Sequence, residues 1–434
     1  RRYSALSKTR PIGITNSTLQ DALRPQAGRA SKVLACILIF FGQMAVGVPA
    51  GGEAAQTAAQ ARCDMSSATV TIATDYANAF GLCENDLTYA ALAVCKRIAQ
   101  ADTRVQETLS KAGIETEEAL RAIDFMMDDL VWTRTHGFTN VTAVEGAIRR
   151  LLPNIGETQG GLFSALRYVA MKAIAVDRIL TIEFPENVMR SIVDDGIVQK
   201  EVKTPEQVDQ LIAWMWRLDE LVRGENRPAY RDANGDDIPI RGSVGRLNFG
   251  KFKILQHRDA IGTDHDIENV LHRLPFEKEW KEGDLVNGVR AEGEWQKRYP
   301  TVIRSVIEFN GTAIGFDDEA RREHVIQETR ILEERTARLV PLTKIIGRQR
   351  CEIFGRASYR ASSVLIHQMR ASPPSITMPA MDRATKLQHH LYQKATGASP
   401  ELVGGAIEEW TGKASPLAQR CRCSLTVHLP SVLG

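Results

Sequence analysis

Residues 204–224 read TPEQVDQLIAWMWRLDELVRG. Thr204, Pro205 and Gln207 form the opening of a helix: proline suits the first turn, and Thr-x-x-Gln is a capping box. Val208, Leu211, Ile212, Met215, Leu218 and Val222 recur at helical spacing and predict one buried face, and Gly224 supplies the stop. The cluster Trp214-Met215-Trp216 reads as core or as a partner contact rather than a cofactor box.

The same pattern extends outward. Thr116-Glu117-Glu118 opens a helix with Ala119, Ile123, Met126 and Leu130 on one face. Leu162, Leu166, Val169 and Ala173 mark another, which Pro185 blocks. Past Gly224 the character changes. Glycine recurs between 225 and 315, with short β-favouring pieces at 252–255 and 301–307 and a hairpin signal at Asn234-Gly235. Helical pattern returns at 317–410, capped by Asp317 and Asp318, interrupted at Pro341 and at Pro373-Pro374, and reopened by Ser399-Pro400-Glu401. The expected fold is therefore mainly α: two helical lobes, 63–224 and 316–412, flanking an irregular 225–315 segment that holds most of the strand. Residues 1–50 form a leader, 51–62 a spacer and 413–434 a tail. A resemblance between 116–126 and 205–215 does not extend, so no internal repeat is inferred.

Of the 434 residues 43% are hydrophobic and 25% charged, a globular composition. The net charge of +2 hides an asymmetry. Residues 1–50 hold seven basic groups and one acid, which leaves 48 basic and 52 acidic residues in the body. Whole-chain basicity thus gives no argument for nucleic-acid binding. In the leader, a basic stretch precedes the apolar run 33–41 and a small-residue exit ending at Ala50, the order of an export or organellar presequence. The expectation is that 1–50 lies outside the core and is removed. No transmembrane anchor is expected, because a spanning helix needs about 20 apolar residues. The seven cysteines include no zinc-type spacing, and ordinary thiols compete with disulfides as their reading.

The densest set of candidate ligands is His257, His265, Asp266 and His272, interleaved with Asp259 and Asp264. Imidazole with carboxylate suits zinc, iron or manganese, so this stretch carries the alternative reading, a metal-dependent hydrolase. His257-Arg258-Asp259 lacks the asparagine of a kinase catalytic loop. Asp232-Ala-Asn234-Gly-Asp236 spaces oxygens like a calcium loop but has Asp237 where glycine belongs and Ser243 where the closing glutamate belongs. Asp124, Asp128 and Asp129 fit an aspartate-rich metal motif only loosely. Nucleotide-binding glycine motifs and a Gly-x-Ser-x-Gly elbow are absent.

Residues 341–390 contain eight basic groups against two acids, with Phe354 and Tyr359 among them. Arg348, Arg350, Arg356, Arg360 and Tyr359 are the candidate partner-binding residues, because basic groups with interleaved aromatics track an anionic partner. The leading reading is a non-enzymatic binding or assembly protein without a cofactor. It engages a protein partner or a second copy of itself, with nucleic acid as the further candidate.

Overall fold

The computed structural model describes residues 17–77, 79–136, 139–142, 148–151, 156–157, 161–279, 296–346 and 371–396. It is mainly helical, about 58%, with a small sheet. Two compact units divide the chain: Arg1–Ala55 with Ala68–Val302, and Gln56–Ser67 with Ile303–Gly434. Among the described residues no helix is long and apolar enough to cross a membrane.

In the first unit, α1 (Ser17–Leu38) packs against α3 (Asn85–Ala101), α4 (Thr103–Lys111), α5 (Thr116–His136) and α6 (Ser164–Lys172). Its Val33, Leu34, Ile37 and Leu38 are buried in the main core with Leu87, Leu92, Ile123 and Met126. The expectation that 1–50 lies outside the core fails for this segment. Its apolar face is complementary to the helices that follow, and burying a side chain of this size stabilises by roughly 1.5–3 kcal/mol. A helix about 22 residues long whose other face is polar belongs to a globular core as readily as to a targeting sequence.

Helix α7 (Pro205–Arg223) follows the reading of its sequence. Val208, Leu211, Ile212, Met215, Leu218 and Val222 are buried, and Gly224 closes it at φ 85°. The capping differs in detail, since Gln207 Oε1 accepts from the Lys203 amide at 2.7 Å. Trp214 is fully buried, whereas Trp216 is exposed and donates from Nε1 to the Arg273 carbonyl.

The central sheet has five strands: β1 (Thr69–Thr74), β2 (Val188–Ile192), β3 (Asp195–Glu201), β4 (Lys253–Leu255) and β5 (Thr301–Ile303), in the order β5-β4-β1-β3-β2. Its three longest strands lie before residue 224, in the stretch expected to be helical, and not in 225–315. Thr69-Val-Thr-Ile-Ala-Thr74 is β-favouring by its branched residues, and pairing with β3 and β4 recruits it. The 225–315 segment keeps the expected small hairpin at Asn234-Gly235, Tyr230–Arg231 pairing with Asp237–Ile238. Asp232 Oδ1 accepts from the Asn234 and Asp236 amides, as a polar turn does. Cys36, Cys63, Cys83 and Cys95 are buried thiols and not disulfides.

In the second unit, Gln56 and Gln60 of α2 (Gly51–Met65) bond to the hairpin of β6 (Val306–Phe309) and β7 (Thr312–Gly315). Gln60 Nε2 donates to the Gly315 carbonyl at 2.9 Å, and its Oε1 accepts from that residue's amide at 3.0 Å. Helices α8 (Asp318–Ile346) and α9 (Pro374–Thr396) pack together through Val325, Ile376 and Ala380. Asp317 caps α8 as expected, accepting from the Glu319 amide at 2.9 Å. The helix runs on past Pro341 to Ile346, so that proline does not end it.

Candidate functional site

Strands β2 and β3 form a hairpin whose last paired residues are Ile192 and Asp195, which leaves Val193 and Asp194 as a two-residue turn. Strand β3 also pairs with β1, and Thr74 faces Gly196. That is the last pair of the ladder; Asp75 follows Thr74 just beyond β1, and Asp195 precedes Gly196. Asp75, Asp194 and Asp195 thus lie toward one end of the sheet, each half-buried. A side-chain ladder pins the register: Arg190 Nη1 donates to Gln199 Oε1, and Gln199 Nε2 to Thr71 Oγ1.

The turn is strained. Val193 has φ 59°, which a β-branched residue adopts only under external constraint. Ser191 bonds to the segment before α2, its amide donating to the Gly42 carbonyl at 2.8 Å and its carbonyl accepting from the Met44 amide at 2.9 Å. Gln43, 1% exposed, faces the turn. Its Oε1 accepts from the Val193 amide at 3.3 Å, and its Nε2 donates to the Val193 carbonyl at 3.5 Å. Gly42 sits at φ 78°, and a Cβ there would come within 2.4 Å of the Met189 carbonyl oxygen.

Behind the hairpin lies a buried ionic group. Lys172 Nζ donates to both carboxylate oxygens of Asp177, at 3.2 and 3.0 Å, and to Ser191 Oγ at 2.8 Å; Ser191 Oγ in turn donates to Asp177. Lys172 and Asp177 are five residues apart, which an α-helix would turn to different faces. The intervening Ala173–Asp177 turn is π-helical, so its wider winding aligns them. Burial raises the Asp177 carboxyl above its ordinary range although Lys172 pulls the other way. The Lys172 ammonium also lies 5.5 Å from the Tyr76 ring centre. Burial, and then the charges of Asp177 and Asp194, push the Tyr76 phenol well up. Tyr168, stacked on Phe80 at 4.7 Å, is raised by burial and by Tyr76 and Asp194. Asp194 thus acts electrostatically on the buried aromatics under the turn.

Asp75 Oδ2 is buried without a hydrogen bond. The Lys251 ammonium is 3.5 Å away, close enough for an ion pair but not aligned to donate. Among the described residues, no three His, Cys, Asp or Glu side chains already close on one point as a metal-ligating set. The donors at the sheet end are oxygens alone, which suit magnesium or manganese and not zinc.

The 257–272 cluster is not assembled as a metal site. His257 caps a short 3-10 turn, its Nδ1 accepting from the Asp259 amide. Asp266, 4% exposed, caps the next, accepting from the Glu268 amide at 3.0 Å and the Gly262 amide at 3.4 Å. The His265 carbonyl accepts from Gln256, and His272 lies in the last turn of the segment Asp266 caps. His257 and Asp266 thus serve as local caps, and no three ligating side chains close on one point here either. Asp129 instead pairs with buried Arg167, which also holds Glu157 through two bonds of 2.7 Å. Arg348, Arg350, Arg356, Arg360 and Tyr359 lie outside the described residues.

Asp75, Asp194 and Asp195 were missed by sequence reasoning. The available signals were the β-branched run ending at Asp75 and the Asp194-Asp195-Gly196 turn between two apolar stretches.

No protein-family model and no curated protein matches the chain. Among solved structures, apo telomerase from Candida tropicalis aligns with 91% of this chain and 54% of its own, at 9% identity and TM-score 0.38. Telomerase from Candida albicans, in complex with a TWJ fragment of telomeric RNA, aligns with 89% of this chain and 54% of its own, at 8% identity and TM-score 0.38. The chain thus spans about half the length of the structures it matches, and a likeness at that score assigns neither a fold nor a function.

Proposed function

We propose that Asp75, Asp194 and Asp195 hold divalent magnesium or manganese for nucleotidyl transfer from a nucleoside triphosphate to a nucleic-acid strand. The observation that carries this reading is the placement of Asp75, Asp194 and Asp195 toward one end of the sheet, beside the Val193 turn that Gln43 holds. Positive φ is what the first position of a two-residue hairpin turn requires, but valine is an unfavourable occupant there, and strain of this kind collects at functional sites. Sites built from few carboxylates leave magnesium open positions, which substrate phosphates complete. Pairs of such ions about 3.5–4 Å apart serve polymerases and nucleases. The Lys251 ammonium beside Asp75 supports a position that accepts positive charge. A cation there requires the Asp75 side chain to rotate toward the turn.

In this reaction the strand's terminal hydroxyl oxygen bonds to the α-phosphorus. The bond from that phosphorus to its bridging oxygen breaks, pyrophosphate leaves with the negative charge, and the hydroxyl proton passes to solvent. The basic segment 341–390, with Arg348, Arg350, Arg356 and Arg360, would follow the strand's phosphates; its excess of basic groups supports an anionic partner. The test is incorporation of labelled nucleotides on primed RNA and DNA templates with magnesium or manganese. The expected result is metal-dependent extension that Asp194→Asn and Asp75→Asn each abolish. Extension that survives both substitutions, or none with either metal on either template, overturns the proposal. Cleavage of the strand without extension would reassign the site to a nuclease.

A further inference from the structure

We infer that Gln43 is a positioning residue for the cation site, its side-chain amide clasping the Val193 main chain and holding the Asp194–Asp195 turn in its strained form. This rests on the reading of that turn as the cation site. Gln43 is not a hydrogen-bonding convenience on the surface, since it is 1% exposed and comes from a segment 150 residues earlier in the chain. Both ends of its amide are used on one residue: Oε1 accepts from the Val193 amide and Nε2 donates to the Val193 carbonyl. The Ala45 amide donates to the same Oε1 at 3.2 Å, which fixes the side chain's direction. The flanking bonds of Gly42 and Met44 to Ser191 make the segment a short rung on the outer edge of β2. The clasp thus falls on the residue of the hairpin whose backbone is least favourable, one position before Asp194. Groups that orient ligands without touching the ion typically change metal affinity by about 10–100-fold when lost.

The experiment compares the full chain with Gln43→Met, Gln43→Glu, Val193→Gly and the Gln43→Met/Val193→Gly double variant. Manganese affinity is read by electron paramagnetic resonance, and backbone order by amide hydrogen exchange mapped to peptides. Methionine keeps the volume and removes the amide; glycine makes the positive φ free of steric cost. Gln43→Met should weaken manganese binding by about 10–100-fold and speed exchange at 190–196 more than elsewhere. Adding Val193→Gly should recover most of that loss, which a general packing defect would not allow. Gln43→Glu keeps the acceptor for the Val193 and Ala45 amides and loses the donor, so it should show an intermediate effect on exchange at 190–196. Unchanged affinity and exchange in Gln43→Met, or no recovery in the double variant, overturns the inference. If the unaltered chain binds no manganese, the cation reading falls. The clasp then stands or falls on exchange: acceleration confined to 190–196 supports it, and none refutes it.

Discussion

Asp194 and Asp195 stand at a turn near the end of β1, where Asp75 lies, and the turn is clasped by Gln43 from 150 residues earlier in the chain. His257 and Asp266 stand in a stretch equally rich in acid and imidazole, yet each turns to an amide two residues away. The second arrangement satisfies its polar groups locally and leaves nothing to share. The first places its carboxylates toward the end of a sheet, on segments brought together from distant parts of the chain. A polar cluster becomes a candidate for chemistry when its groups are positioned by remote parts of the chain rather than by their own neighbours.

The largest expected difference between the two regions is in activity. Asp194→Asn should lower metal-dependent nucleotide incorporation by more than the about 10–100-fold typical of an outer-shell change. His265→Ala with His272→Ala should leave it unaltered. Equal losses at both sites, measured as initial rates, would erase the distinction.

A second difference is energetic. Lys172 and Asp177 are each 2% exposed as side chains, so Lys172→Met strands a buried carboxylate under the hairpin and should cost about 3–5 kcal/mol. The paired change Lys172→Met with Asp177→Leu should recover much of it, because well-packed apolar replacements of buried pairs are often neutral. Urea titration of the three variants decides this, and a loss under about 1 kcal/mol for the single change would show that the pair does not brace the turn.

In the 257–272 stretch the expected cost is smaller. Asp266→Ala removes one cap and should cost about 1 kcal/mol, the usual value for a helix-cap carboxylate. A far larger loss on denaturant titration would mean that Asp266 carries more than its turn.

A last effect, absent at neutral pH, concerns the core shared by the sheet and the helices. Burial holds the Cys83 and Cys95 thiols up at about 12, against 9.0 for an exposed thiol. A folded value above the unfolded one means that the fold favours the protonated thiol. That stability is present in full below about pH 9 and is lost as pH rises toward about 12. Denaturation midpoints should therefore fall above pH 9, and peptide mapping after alkylation at neutral pH should find Cys83 and Cys95 unlabelled. Rapid labelling of either would contradict the packing around β1 and α3.

Much of the helical fold was legible. The face of α7, its glycine stop, the Asp317 cap and the Asn234-Gly235 hairpin all act through residues within a few positions of one another. The sheet was not legible, because β1 stands alone between helical stretches and its partners, β3 and β4, come far later. The acidic site shared that fate. Asp75 is one carboxylate beyond a strand, and Asp194-Asp195 reads as a polar turn until the fold places both toward one end of the sheet.

The apolar run of α1 shows the same division from the other side. Its composition by itself established an apolar face behind a basic start, which fits a presequence and a core helix equally. Only the tertiary structure decided between those placements for residues 17–50, by supplying α3, α5 and α6 as a surface to bury against. The amino-acid sequence alone determined helix periods, caps and tight turns, since these depend on bonds between near neighbours. Register across strands and the hold of Gln43 on Val193 depend on contacts between residues more than a hundred positions apart, and no local pattern records those.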